Sequence, residues 1–304
     1  MAVSASAQQS VDSTRVHADA QSPRSSSDVP FILALVVIAL LYVGLILAML
    51  LADVAYLRPA DGSGFGHETS TIVHRTFAPL ATPAIRYSLK LSLISCTITA
   101  ILSIWVAVPL GYLMSRFRFP LKGLIDAILD IPIVLPPLVI GLSLLILFQS
   151  APGRALEKHF PVTYAIPSVI LAQFAVSCAF AVRTMRVSFD QINPRAEHVA
   201  MTLGCNRAQA FWRVAVPEAR RGILTAGTLA WARAMGEFGP VLVFAGATRM
   251  TTEVLPTSIY LEMSVGNIEA AVAISLLMVM VAMIVLLIVR FIGGEGSLAR
   301  AVAP

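Results

Sequence analysis

The dominant feature of this sequence is a series of apolar blocks, each of roughly 20 residues, which is the length of helix that crosses a bilayer. The whole chain has a mean hydropathy of +0.81, with 57% hydrophobic and 13% charged residues. The apolar blocks cover residues 31–52, 89–113, 125–148, 164–182, 223–245 and 268–292. Because lipid offers no hydrogen-bond partners to the backbone, each block is predicted to be helical. The expected fold is therefore an all-α polytopic membrane protein with six transmembrane helices.

The remaining segments divide the chain into regions. Residues 1–30 are rich in Ser, Ala, Gln and Asp, and we expect a disordered cytoplasmic tail there. The first transmembrane helix is predicted at 31–52, and an extracytoplasmic loop at 53–85. Residues 86–293 form the predicted core domain, and a second cytoplasmic tail is expected at 294–304.

The distribution of Lys and Arg indicates the orientation in the membrane. Cytoplasmic segments carry an excess of these residues. With the N-terminus in the cytoplasm, the segment between the fourth and fifth blocks is also cytoplasmic, and it contains seven arginines. The net charge of +5 is explained by this topology, so it does not indicate a nucleic-acid partner.

No catalytic chemistry is indicated by the residue pattern. A phosphate-binding loop would end in Gly-Lys-Ser/Thr, but Lys90, Lys122 and Lys158 each follow a residue other than glycine. The three cysteines have no metal-ligand spacing. We therefore expect no enzyme activity, no bound cofactor and no metal site in this chain.

The cytoplasmic segment 195–221 has the pattern of two short helices joined by a glycine turn. The first helix is compatible with residues Arg195 to Leu203, and Gly204 can end it in the left-handed conformation. Asn206 is a candidate N-cap of the second helix. The segment is therefore predicted to be a helix–turn–helix element facing the cytoplasm.

The second of these helices carries an apolar stripe. Ala208, Phe211, Trp212 and Ala215 recur at i, i+3, i+4 and i+7, and Pro217 is expected to close the unit. An exposed aromatic pair on such an element predicts docking into the groove of a partner. The alternative is a loop that folds back on its own protein.

This segment resembles the EAA loop of ATP-binding-cassette importer permeases, in which a Glu-Ala-Ala triplet precedes a glycine and, further on, a Leu-Pro pair. The matching positions are His198, Val199, Ala200, Gly204, Val214, Val216 and Pro217. His198 stands where the family has glutamate, although Glu197 is adjacent. The resemblance implies a coupling helix that docks on a cytoplasmic ATPase. The docking residues it implies are Glu197, His198, Ala200, Gly204, Phe211, Trp212 and Pro217.

Two further stretches resemble molybdate and sulfate permeases. They are RFRFPLKGLIDAILDIPIVLPPLVIGLSLL at 116–145 and ARAMGEFGPVLVFAG at 232–246. The stretch TTEVLPTSIY at 251–260 mixes features of sulfate permeases with features of molybdate and tungstate permeases. The resemblance implies the type I importer permease fold and an oxyanion substrate, with molybdate or tungstate as the first reading and sulfate as the alternative.

Prolines in the third block predict that this span borders the pathway. Pro132, Pro136 and Pro137 each remove a helical hydrogen bond and free a carbonyl group. Irregular backbone at membrane depth is tolerated inside protein or beside a cavity. The alternative is a kink of structural value alone.

Ionisable residues in the fifth block are the other pathway candidates. Arg233 and Glu237 are four residues apart and share a helix face, so they either line the pathway or form a mutual salt bridge. Gly236 and Gly239 flank Glu237 and would allow a neighbouring helix to approach closely. Near the start of the third block, Asp126 and Asp130 are predicted to pair with Arg183 or Arg186.

The resemblance implies a complete assembly in the inner (plasma) membrane of a prokaryote. Two copies of this chain would enclose the pathway. Two copies of an ATPase, with their ATP and Mg, would dock from the cytoplasm, and an extracytoplasmic binding protein would deliver the oxyanion. A transporter driven by an ion gradient is the alternative from another class, and the absence of an internal repeat in the sequence argues against it.

Overall fold

The computed structural model describes residues 28–57 and 76–301. In this part of the chain every regular element is a helix or a single helical turn, as the apolar blocks predict. The predicted disordered tail at 1–30 lies almost wholly outside the described residues. Most of the predicted outer loop at 53–85 does so as well, and both therefore stay predictions.

The first unit of the chain ends at Asp53 and contains most of helix α1, Asp28–Tyr56. The part of α1 from Pro30 to Tyr56 has a mean hydropathy of 3.1 over its most apolar window and is long enough to cross a membrane. The helix begins before and ends after the apolar block at 31–52. Transmembrane helices continue into the headgroup region on either side of the hydrocarbon, which explains the extra turns.

The second unit begins at Val54 and contains the other helices. A 3-10 turn at Ala78–Ala81 precedes them. The helices are α2 (Pro83–Arg116), α3 (Lys122–Val134), α4 (Pro137–Gln149), α5 (Ala151–Glu157), α6 (Ile166–Gln191), α7 (Arg195–Thr202), α8 (Arg207–Ala210), α9 (Val216–Glu218), α10 (Arg220–Met235), α11 (Gly239–Phe244), α12 (Leu255–Ser264) and α13 (Ile268–Ala301).

Four helices of the described residues, α1, α2, α6 and α13, are individually long and apolar enough to cross a membrane. The pair α3 and α4 would make a fifth span. Helix α10 has 16 residues and is shorter than a full span. A polytopic helical fold is thus confirmed, and the count of six spans stays a prediction.

The third apolar block is not one continuous helix. Helices α3 and α4 meet at 110°. The residue before a proline is pushed out of the helical region, and both Leu135 and Pro136 precede a proline. Both are extended, with ψ of 141° and 133°. Pro132, by contrast, lies inside α3, which continues past it.

The fifth block is also interrupted. Helix α10 ends at Met235, the chain is non-helical at 236–238, and α11 begins at Gly239. Gly239 and Gly141 bring α11 against the start of α4. A Cβ added at Gly141 would lie 2.7 Å from Pro240 Cα, and one at Gly239 would lie 3.2 Å from Leu138 N. The two interrupted blocks therefore pack backbone to backbone.

Helices α2, α6 and α10 pack together at the centre of the second unit. The residues at their contacts are small, and Ala107, Ala181 and Ala230 are fully buried. A Cβ on Gly111 would lie 2.8 Å from the Cβ of Met185. In a membrane, close approach of small residues is what holds helices together. The cytoplasmic segment after α6 connects two of these three packed helices, α6 and α10.

Buried hydroxyl groups fix α12 to α2. The backbone N–H of Leu255 donates to Ser92 Oγ at 2.8 Å, and Ser258 Oγ lies 3.0 Å from Ser88 Oγ. Ser258 Oγ is also 2.8 Å from the fully buried carboxyl of Glu253. Burial raises the pKa of the Glu253 carboxyl, because the charged form loses its hydration there.

Candidate functional site

The segment between α6 and α10 is a helix–turn–helix element, as predicted. Helix α7 ends in a turn at Gly204, whose φ is +94°. The N–H of Cys205 donates to Ala200 O, and the N–H of Gly204 donates to Met201 O, both at 3.1 Å. This pair of bonds around a left-handed residue is the Schellman motif, which satisfies the last carbonyls of a helix. The predicted left-handed turn at Gly204 is confirmed.

The second half of the element starts with a capping box. Asn206 Oδ1 accepts from the N–H of Gln209 at 2.8 Å, and the N–H of Asn206 donates to Gln209 Oε1 at 2.9 Å. Two backbone donors that the first turn of a helix leaves free are thereby satisfied. The predicted N-cap is confirmed, and the angle between the two short helices is set on both sides of the turn.

The second helix of the element widens just before Pro217. Helix α8 passes into a π-helical stretch, Phe211–Ala215, and then into α9, which contains Pro217. Proline has no N–H to donate and its ring crowds the carbonyl of residue i−4, so the regular pairing fails in the preceding turn. The helix–turn–helix element does not end at Pro217 as expected. It continues through Ala219 directly into α10.

Arg116, at the end of α2, anchors the element from inside. Its Nε donates to Glu197 Oε1 at 2.9 Å, and its two terminal nitrogens donate to the carbonyls of Phe189 and Ile192, each at 2.9 Å. Tyr112 OH donates to Glu197 Oε2 at 2.6 Å. The Arg116 and Glu197 side chains are 12% and 7% exposed. One guanidinium thus joins α2, the end of α6 and α7.

Glu197 therefore acts within this chain. The family resemblance implies that it docks on a partner, but its carboxylate is occupied by Arg116 and Tyr112. Any influence on a partner would pass through the position of α7. The other residue at this point of the motif, His198, is exposed, whereas Ala200 is partly buried.

The aromatic pair of the second helix is divided between interior and surface. Phe211 is partly buried, and its ring centroid lies 4.6 Å from that of Tyr112. Trp212 is 65% exposed and contacts the edge of the Phe211 ring. The expectation of an exposed pair is thus wrong for Phe211, because the turn of the helix directs it to the aromatic cluster at the end of α2.

An outward apolar face remains on α7 and its turn. Val199 is 57% exposed and Leu203 is 81% exposed. These two residues are four apart, so they share one face of α7. This face of α7 is therefore apolar and exposed in the single chain.

The predicted ion pairs between the third block and the fourth are confirmed. Arg183 Nη1 lies 3.1 Å from Asp130 Oδ1, and Arg186 forms an ion pair with Asp126. Both pairs connect α3 to α6, and all four side chains are at least partly exposed to solvent in the single chain. Helix α3 is thus fastened along one face to the helix that carries the cytoplasmic element.

Arg233 and Glu237 form an ion pair with each other. Glu237 is 1% exposed, whereas Arg233 is 30% exposed and also lies over the Phe180 ring, 5.5 Å from its centroid. The mutual salt bridge that we gave as one alternative is therefore present. Of the flanking glycines, Gly239 faces α4 closely, but Gly236 faces carbonyl groups of its own helix.

A cavity of about 640 Å³ lies between α6 and α10. Its lining includes Phe180, Arg183, Glu218, Arg221 and Leu229. The cavity reaches Leu229, which is one helical turn before Arg233, and extends from there toward the cytoplasmic element. Arg183 is paired with Asp130, so Arg221 and Glu218 are the other charged groups of the lining.

Sequence reasoning missed Tyr112 and Arg116, which hold the element in place. An arginine one turn after a tyrosine at the end of a transmembrane block was the available signal. Their partner Glu197 lies 81 residues beyond Arg116, so the sequence carries no local sign that these groups meet.

A family model described as "Binding-protein-dependent transport system inner membrane component" matches residues 107–293, which contain the whole arrangement described above. The chain therefore belongs to this family, the permease subunits of ATP-binding-cassette importers. It is a transport subunit and a multi-pass protein of the inner membrane.

Individual relatives carry more specific names. The chain is 35% identical over 216 residues to the molybdenum transport system permease protein ModB of Mycobacterium tuberculosis, covering 70% of this chain and 81% of that one. It is 34% identical over 228 residues to the sulfate transport system permease protein CysW of Synechococcus elongatus, covering 74% and 76%.

Solved structures share the fold. A bacterial transporter that imports the acidic polysaccharide alginate aligns with a TM-score of 0.65 at 13% identity, covering 88% of this chain and 95% of that one. A second structure of a bacterial alginate transporter, bound to a periplasmic protein that carries an alginate pentasaccharide, aligns with a TM-score of 0.60 at 14% identity, covering 84% and 96%.

Removing the anchor should loosen the cytoplasmic element. In Glu197→Ala the buried Arg116 loses its carboxylate partner, and breaking such a pair costs on the order of 3 kcal/mol. We expect faster amide hydrogen exchange over 195–203 in the variant, measured by mass spectrometry on the purified chain. Glu218→Ala, which removes an exposed carboxylate from the same element, is the matched control. Equal exchange rates in wild type and Glu197→Ala would show that the ion pair does not hold α7.

Proposed function

We propose that this chain forms the membrane pathway of an importer for molybdate or tungstate, and that it works as a homodimer with its N-terminus in the cytoplasm. The name of the mycobacterial relative supports molybdate as the substrate. Arg221, which lines the cavity between α6 and α10 and takes no part in an ion pair of the described residues, supports an anionic one. The chain itself would hold no cofactor.

Sulfate is the second candidate, and the identity to a sulfate permease favours it. Sulfate and molybdate are both tetrahedral dianions, so a cavity lined by arginines suits either. Discrimination would then fall largely to the extracytoplasmic binding protein. The structure of an alginate transporter with a periplasmic protein supports a partner of that kind.

We propose that the outward face of α7 and the Gly204 turn are where a cytoplasmic ATPase docks. The exposed apolar pair Val199 and Leu203 carries this proposal, with His198 beside it. Arg116 and Glu197 would present this face at a fixed height below the membrane. ATP and Mg would bind to the ATPase chains.

The connection to the pathway would be mechanical. A single residue, Ala219, separates α9 from α10, so a displacement of the docked element would be passed to the helix that carries Arg233. Helix α6 enters the same element and holds α3 through two ion pairs. Closure of the ATPase dimer would thus move both walls of the cavity together.

The substrate is tested by uptake into proteoliposomes that contain the permease, its ATPase and its binding protein. We expect ATP-dependent uptake of labelled molybdate that tungstate suppresses at equal concentration and that phosphate leaves unchanged. Sulfate that competes as well as tungstate would favour the second candidate. Absence of ATP-dependent uptake of any of these oxyanions would overturn the proposal.

The docking face is tested at its turn. A Cβ at Gly204 meets no atom within 4 Å, so the cost of Gly204→Val arises from φ of +94° alone. That cost is on the order of 1–3 kcal/mol for a β-branched residue. We expect the variant to insert in the membrane normally, but to retain much less ATPase on co-purification. Gly204→Asn is the control, because asparagine tolerates the left-handed region. Retention of wild-type amounts of ATPase by Gly204→Val would argue against docking at this turn.

The pathway role of Arg233 is tested in the same uptake assay. Arg233→Gln should lower oxyanion uptake more than it lowers the amount of folded protein in the membrane, because it removes a partly exposed cation one helical turn beyond Leu229, which lines the cavity. The double variant Arg233→Gln with Glu237→Gln separates the alternatives. Recovery of uptake in the double variant would mean that the single variant failed because Glu237 was left buried without a counter-ion, and that Arg233 has a structural role.

A further inference from the structure

One face of α2 borders two neighbouring cavities of opposite character. Trp105, Pro109, Tyr112 and Arg116 are spaced by four, three and four residues, so they follow a single helix face. Along Trp105 and Pro109 this face borders an apolar groove, and at Tyr112 and Arg116 it borders a polar cavity. The two meet at the contact between the rings of Tyr112 and Phe211.

The apolar groove has a volume of about 810 Å³. Two tryptophans border it, Trp105 with 76% of its surface exposed and Trp212 with 65%. From Ile104 to Leu113, which also line it, a helix rises by roughly 14 Å. Half of the hydrocarbon core of a bilayer is about 15 Å thick. The groove therefore has the length of one leaflet.

The polar cavity has a volume of about 480 Å³ and a cationic lining. The charge of Arg116 is balanced by Glu197, but Arg118, Lys122 and Arg207 also line it. The ion pairs of the described residues use other cations. Lys122 Nζ donates to Phe117 O at 3.2 Å, and the Arg207 guanidinium lies 5.1 Å above the Phe117 ring. Both cations are thus held at the cavity without a carboxylate partner.

We propose that the groove and the cavity together bind one anionic phospholipid from the leaflet at this end of α2. Its phosphate would lie among Arg118, Lys122 and Arg207, and its acyl chains would lie along Trp105 and Trp212. A phospholipid is the ligand that joins an acidic group to an apolar chain one leaflet long. Basic pockets at the ends of transmembrane helices bind such headgroups.

The proposal assigns Trp212 to lipid, where sequence reasoning had predicted a contact with the ATPase. It also gives the lipid a position against Phe211 and Arg207, on the element that is proposed to dock. It does not depend on the identity of the transported anion or on ATPase docking.

The first experiment measures tryptophan quenching by brominated lipids in vesicles that contain the full-length chain. Brominated phosphatidylglycerol is compared with brominated phosphatidylcholine at equal mole fraction. We expect wild type to prefer phosphatidylglycerol by roughly ten-fold or more, since three cations face the headgroup. The test variant is Arg118→Gln, Lys122→Gln and Arg207→Gln together. The control removes three exposed arginines outside the cavity, Arg195→Gln, Arg213→Gln and Arg220→Gln together.

The proposal predicts that the test variant loses the preference and that the control keeps it. Equal loss of the preference in the test variant and the control would indicate that the preference arises from the overall surface charge, and this result would overturn the proposed site. Quenching by neither lipid would indicate that a second copy of the chain covers the groove, which also overturns it. A test variant that keeps its lipid preference would show that these three cations do not hold the headgroup, which overturns the site as well.

A second measurement does not depend on the triple variant being folded. Native mass spectrometry of the wild-type chain, extracted in mild detergent from vesicles of both lipids, should show one retained phosphatidylglycerol per chain. Trp105→Ala, which shortens the groove wall, should lower that retention. Retention of phosphatidylcholine to the same extent, or equal retention by Trp105→Ala, would contradict the inference.

Discussion

The cytoplasmic side of this permease depends on the ion pair and hydrogen bonds of the Arg116 side chain. A buried guanidinium must find hydrogen-bond acceptors for all of its donor groups. Here the acceptors are the Glu197 carboxylate and the carbonyls of Phe189 and Ile192. Because these groups belong to three separate elements, satisfying one charge fixes the end of α2, the end of α6 and the start of α7 relative to each other. The exposed face of α7 is a consequence of that arrangement.

The interrupted helices on the membrane side have a different physical basis. Consecutive prolines force Leu135 and Pro136 into extended backbone, and Gly239 lets the second interruption pack against the first. Non-helical backbone at membrane depth needs protein or water around it, and these two breaks provide cover for each other. The ion pair of Arg233 with Glu237 lies at the second of these breaks, because Glu237 is one of its non-helical residues. Charge and broken backbone therefore occur together there.

Local chemistry made part of the site predictable. The left-handed turn at Gly204 and the cap at Asn206 depend on residues within a few positions of each other, and both were predicted correctly. The pairing of Asp126 and Asp130 with Arg183 and Arg186 followed from placing opposite charges on neighbouring spans. The prediction that Phe211 is exposed was wrong, because a helix-period pattern shows which residues share a face but not what that face contacts.

The sequence by itself determined that the chain is helical and crosses a membrane, because apolar blocks of bilayer length have one hydrogen-bonded solution in lipid. It also determined the turn and cap of the cytoplasmic element, and its motifs indicated the family. The tertiary structure decided which polar groups meet across long separations. The family resemblance implies a docking role for Glu197, and the tertiary structure adds an internal one by bringing Arg116 and Tyr112 to its carboxylate. The cost of leaving a buried charge without a partner selects that pairing, and only the packing of α2 against α6 and α7 determines which charges are buried.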